Sequence, residues 1–116
     1  MSTSSIPPAL KDPNIGNMYQ DAYDALGRAY WDATDIVYKD LIHGAMEALG
    51  DIITAVDEED LANNTELFKE LKPQIDGVNS ALTQIKAQIN QITKNIATAS
   101  MVIAAVSKVL SMWSIV

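Results

Sequence analysis

Apolar residues recur every three or four positions along almost all of this chain, and that spacing is a helix signal. A first series runs Ile15, Tyr19, Ala22, Leu26, Ala29, Ala33, Val37, Leu41, Ala45, Ala48, Ile52 and Val56. A second runs Leu61, Phe68, Leu71, Ile75, Val78, Leu82, Ile85, Ile89, Ile92, Ile96, Ala99, Ile103, Val106, Leu110 and Trp113. From Phe68 onward its steps alternate three and four, a heptad seam more than six repeats long. Asp57 to Asp60 and Asn63 to Thr65 separate the two series and form the most polar stretch of the chain. The spacing predicts an all-α fold: a long, coiled-coil-like antiparallel helical hairpin over residues 14–116, one domain, reversing near 57–64.

Local signals refine the expected boundaries. Asn14 suits the start of the first helix, and Asn63 followed by Glu66 has the form of a capping box. Pro73 is costly inside a helix, at about 3 kcal/mol, so a short third helix is expected near 58–71 with the long helix starting just before the proline. Gly50 is a candidate end for the first helix, and Gly27 and Gly44 are candidate bends or close-packing points. Residues 1–13 hold three of the four prolines together with Ser and Thr, and read as an extended or disordered arm. They lack the basic start and apolar stretch of a cleaved signal peptide. The expected location is soluble and cytoplasmic, exported without a cleaved signal, or membrane-associated.

One hairpin buries one seam. Ile at most a positions (Ile75, Ile89, Ile96, Ile103) and at Ile85 and Ile92 favours more than two strands. The hairpin is therefore expected to assemble into a helical bundle, as a dimer or tetramer of itself or with another helical protein. Ile85, Ile89, Ile92, Ile96, Ile103, Val106 and Leu110 are the expected seam of that core or interface.

Composition narrows the chemistry. The 116 residues hold 15 acids and 8 bases, a net charge of −7, and no basic stripe that would grip nucleic acid. All the acids lie in residues 1–76, which sum to −10, whereas residues 77–116 sum to +3. That asymmetry favours antiparallel packing of the two halves. There is no cysteine, so disulfides, thiolate metal sites and cysteine nucleophiles are excluded. Asp40, the single His43 and Glu47 share a helix face, but a di-metal helical site needs a second such motif, and no acid follows Asp76. They read as a solvated polar face. No nucleophile–base set and no phosphate loop can be assembled, so the chain is expected to be non-enzymatic, without cofactor or metal.

Two segments carry candidate surface chemistry. Five of the seven aromatics lie between Tyr19 and Tyr38, and Trp31 and Tyr38 fall off the apolar stripe, as a recognition patch would. Residues 96–116 hold one charge, Lys108, and as a helix would span about 31 Å, close to a bilayer core. Met101, Val102, Ile103, Val109, Met112 and Trp113 are its candidate lipid-facing residues. The competing reading is a core helix whose small residues allow close packing.

The run Leu82-Thr83-Gln84-Ile85-Lys86-Ala87-Gln88-Ile89-Asn90, followed by Ala99-Ser100-Met101-Val102-Ile103-Ala104-Ala105-Val106, is similar in texture to subunits of α-helical pore-forming toxins. The resemblance covers Gln74 to Val116. It implies an apolar segment kept in a soluble bundle until assembly, and a toxin-associated setting. By size the chain also resembles small secreted helical-hairpin proteins of specialised secretion systems, although Trp113 is followed by Ser114 and Ile115 rather than by their Trp-x-Gly turn. The function expected is a self-associating helical assembly protein, toxin- or secretion-associated. The alternative is an amphitropic or tail-anchored membrane protein using 96–116.

Overall fold

A computed structural model describes residues 8–114, with side-chain surroundings for 10–113. Residues 1–7 of the expected arm, 1–13, lie outside the described residues; the rest is not an arm, because Pro8–Lys11 forms a 3-10 turn and Leu10 is buried in the core, an apolar anchor that the prolines around it hide in the sequence. Among those described, the chain is all-α, with four helices packed against one another: α1 (Ile15–Asp32), α2 (Ile36–Asp57), α3 (Thr65–Ile92) and α4 (Ile96–Ser114). Short 3-10 turns at Pro8–Lys11 and Leu61–Asn63 pack together at one end. Each helix contacts its neighbours in the order α1–α2–α3–α4–α1, which is an up-down-up-down bundle. Cross-links fix the antiparallel sense. Tyr38 at the start of α2 reaches Gln91 at the end of α3, and Trp113 at the end of α4 reaches Tyr19 near the start of α1.

The inward stripe of α1 is the one its spacing gives: Ile15, Tyr19, Ala22, Leu26 and Ala29 are all buried. They meet Ile42, Leu49 and Ile52 of α2, Ile75, Leu82, Ile85 and Ile89 of α3, and Val102, Val106 and Val109 of α4 in one core. Truncating such a side chain costs about 2–5 kcal/mol.

Five boundaries differ from the expectations above. Each long apolar series is two helices, because the chain folds back at Ala33–Asp35 and again at Thr93–Asn95. Asx side chains restart the helix after both breaks. Asp35 accepts from Val37 N at 2.9 Å, and Asn95 accepts from Ala97 N at 3.0 Å and Thr98 N at 3.3 Å. Folding back lets the chain cover its own seam, so each half supplies the partner the other would lack. Next, α3 runs unbroken from Thr65 through Pro73, and the short helix expected near 58–71 is only the 3-10 turn Leu61–Asn63. Pro73 faces solvent, where water can serve the carbonyl it leaves unbonded. The cap of α3 is Asn64, which accepts from Leu67 N at 3.0 Å, while Asn63 donates to Asp60. Gly50 lies within α2 and ends nothing.

The seam also changes phase at the second break. Ile85, Ile89, Ile92 and Val106 are buried and Leu110 is half-buried, but Ile96 is 81 % exposed and Ile103 is 37 % exposed. A non-helical link does not carry helical phase. At ~100° per residue, the buried face of α4 (Thr98, Ala99, Val102, Ala105, Val106, Val109) lies roughly 70° round from the heptad line.

Candidate docking surface

The polar constellations stay separate. His43 Nδ1 pairs with Glu47 at 3.2 Å on the exposed face of α2, and Asp76 pairs with Lys72 at 2.9 Å on α3. Asp40 is exposed beside a shallow groove between α2 and α3 that is lined mainly by Gly44, Ala45, Ala48, Gly77 and Ala81. No cluster of three or more His, Cys, Asp or Glu able to hold a metal occurs among the described residues.

Polar contacts tie both ends of the bundle. At one end Trp113 Nε1 donates to the Tyr19 hydroxyl at 2.6 Å. Burial pushes the Tyr19 hydroxyl well above the usual tyrosine range, and the smaller opposing effect is the Trp113 hydrogen bond. Because the folded-state value is raised, the unfolded chain loses its proton first. The stability linked to Tyr19 is therefore intact below about pH 10 and is lost as pH rises further, by up to about 1.4 kcal/mol per pH unit. Urea titrations between about pH 9 and pH 11 check this. Wild type is expected to lose stability more steeply than Tyr19→Phe, and parallel curves would contradict the assignment.

At the opposite end Asp32, closing α1, accepts from Thr98 Oγ1 at 2.6 Å and from Thr93 Oγ1 at 3.4 Å. Thr93 and Thr98 are buried. One carboxylate thus links the α1–α2 turn to the α3–α4 turn. This makes a double-hairpin tip holding the C-termini of α1 and α3 and the N-termini of α2 and α4.

The tip is where apolar surface is left uncovered. Trp31 is 80 % exposed, Ile36 66 %, Val37 68 % and Ile96 81 %. All four belong to the last turn of α1 or the first turn of α2 or α4. Among the described residues no other large apolar side chain exceeds Met101, at 39 %. Trp31 is held in place despite its exposure. Its ring meets Tyr30 edge-on at 5.5 Å, and Lys39 Nζ, which donates to the Tyr30 carbonyl, sits 4.4 Å from the Tyr30 ring centre and 5.8 Å from that of Trp31. Tyr38 is half-buried and its hydroxyl donates to Gln91 at 3.0 Å, so it braces α2 against α3 just behind the tip.

Charge divides the molecule the same way. The tip turns carry Asp32, Asp35, Lys39 and Lys94 in balance, while Asp57 to Asp60 crowd the other end.

The candidate membrane segment is one helix of this bundle. Ile96–Trp113 is apolar enough to cross a bilayer, with mean hydropathy 1.6, and a third of it is buried. Of its named residues, Val102 and Val109 face the core, Met112 and Trp113 are half-buried, and Met101 and Ile103 are exposed. Ile36 appears in neither apolar series, and only its place beside the Asp35 cap marks it. No family model, curated protein or solved structure matches the chain.

Proposed function

We propose that this chain is a non-enzymatic, self-associating helical assembly module whose working surface is the apolar tip of its bundle. One observation carries this reading: Trp31, Ile36, Val37 and Ile96, the four most exposed large apolar side chains among the described residues, share one end of the fold. Apolar side chains gathered on a rigid frame mark interaction sites, whereas scattered ones need no explanation. The partner is a second copy or another helical protein. The texture of residues 74–116 favours a toxin- or secretion-associated setting. Amide NMR spectra recorded over a dilution series test the location. Shifts are expected to concentrate in residues 31–38 and 92–98, and changes confined to other faces would contradict it.

A second reading, amphitropic membrane binding, draws on the length and hydropathy of Ile96–Trp113. It requires α4 to leave the core. Flotation of the full chain with phosphatidylcholine and phosphatidylglycerol vesicles separates the two readings. The assembly reading expects the chain to stay at the bottom of the gradient; recovery with vesicles would favour the second.

A further inference from the structure

The α3–α4 link contains nothing that forbids a helix. Thr93, Lys94 and Asn95 include neither glycine nor proline, and the steps Ile89, Ile92, Ile96, Ala99 pass through them at helical spacing. The break is held by side-chain bonds: the two that Asn95 accepts from Ala97 N and Thr98 N, the one Thr93 Oγ1 accepts from Asn95 N at 3.0 Å, and the Asp32 contacts. Exchanging one element between identical copies is a low-cost route to a dimer, and here only this three-residue link has to open.

We propose that this chain forms a domain-swapped dimer in which residues 93–95 become helical, α3 and α4 run on as one helix, and α4 of each copy packs on the other copy's α1 and α3. The inference rests on the tip being the end at which copies meet. Exchange preserves the core, since Val102, Val106 and Val109 enter an identical slot in the second copy. It also covers what the closed bundle leaves bare. The hinge lies at the tip, so straightening it brings two tips together over Trp31, Ile36, Val37 and Ile96. Area argues for exchange over simple tip contact. Four large side chains offer on the order of 500 Å², below the roughly 800 Å² per partner of a stable complex. The exchanged helices supply the remainder. Charge selects the same end, because copies carrying −7 each meet at balanced tips with their Asp57 to Asp60 runs farthest apart.

The chain has no native cysteine, so an introduced pair is the only thiol chemistry present. Asp24 and Lys108 are exposed and line one groove between α1 and α4. In an Asp24→Cys/Lys108→Cys variant, a short bismaleimide joins the two positions within one chain of the closed bundle and between chains of the swapped dimer. The dimer fraction from size exclusion is expected to run as a covalent dimer on a denaturing gel, and the monomer fraction as a single chain. A dimer fraction yielding only single-chain products would overturn the exchange while leaving tip-mediated association standing. No dimer at the highest attainable concentration would overturn both. A second pair of variants acts on the hinge itself. Asn95→Ala removes the cap and is expected to raise the dimer-to-monomer ratio about fivefold, and a Gly-Ser-Gly insertion after Lys94 is expected to lower it. A ratio moved by neither change would contradict the hinge.

Discussion

Ile92→Asp is expected to abolish cooperative folding. Ile92 closes α3 at the point where all four helices approach the tip, and its side chain is 4 % exposed. Losing the apolar side chain there costs about 2–5 kcal/mol. A carboxylate with no partner in that position adds a desolvation penalty of several kcal/mol. Together these match the roughly 5–15 kcal/mol that stabilises a domain of this kind. Far-ultraviolet circular dichroism and a thermal melt check the result: most of the helical signal and the sigmoidal transition should be lost. Ile92→Val keeps the site apolar and should cost only about 0.5–1.5 kcal/mol. An Ile92→Asp chain that melts like wild type would show that this position is not in the core.

Asp32→Ala is expected to cost about 1–3 kcal/mol, or on the order of 4–12 °C in melting temperature. The carboxylate is the acceptor for both buried threonine hydroxyls at the tip, so its removal strands two donors. Asp32→Asn retains an acceptor and should lose less. The contact is one between hairpins, so a cycle of Asp32→Ala with Thr98→Val should give a coupling of at least about 0.5 kcal/mol. Additive losses would mean that Asp32 acts through its own turn and not through α4.

Much of the fold was legible in the sequence because apolar spacing reports burial directly. Every stripe residue of α1 from Ile15 to Ala29 is buried, as is every residue of the α3 seam from Ile75 to Ile92. The two fold-backs were not legible, for a physical reason. Helix breakers usually mark a turn, yet both links, Ala33–Thr34–Asp35 and Thr93–Lys94–Asn95, lack glycine and proline. Gly27, Gly44, Gly50, Gly77 and Pro73 instead lie inside helices. The periodicity passes through each link, so spacing alone reads two helices as one. The available signal was the Asx residue standing before an isoleucine in each link, Asp35–Ile36 and Asn95–Ile96.

The candidate surface was half visible on the same grounds. Trp31 stands out because it leaves the apolar stripe, and it is exposed. Ile96 was hidden because it obeys the heptad, and its exposure follows from the link that resets the phase of α4. An apolar residue with perfect spacing on the far side of an unseen turn reads as core.

Sedimentation equilibrium over a wide concentration range tests the tip most directly, on wild type and on an Ile36→Ser/Ile96→Ser variant. Both substitutions replace exposed side chains, so the helical signal and melting temperature should stay close to wild type. Wild-type mass is expected to climb from 12.6 kDa toward at least twice that value as concentration rises, while the variant remains at 12.6 kDa. The same mass curve for both proteins, or a wild-type mass fixed at 12.6 kDa throughout, would contradict self-association through the tip.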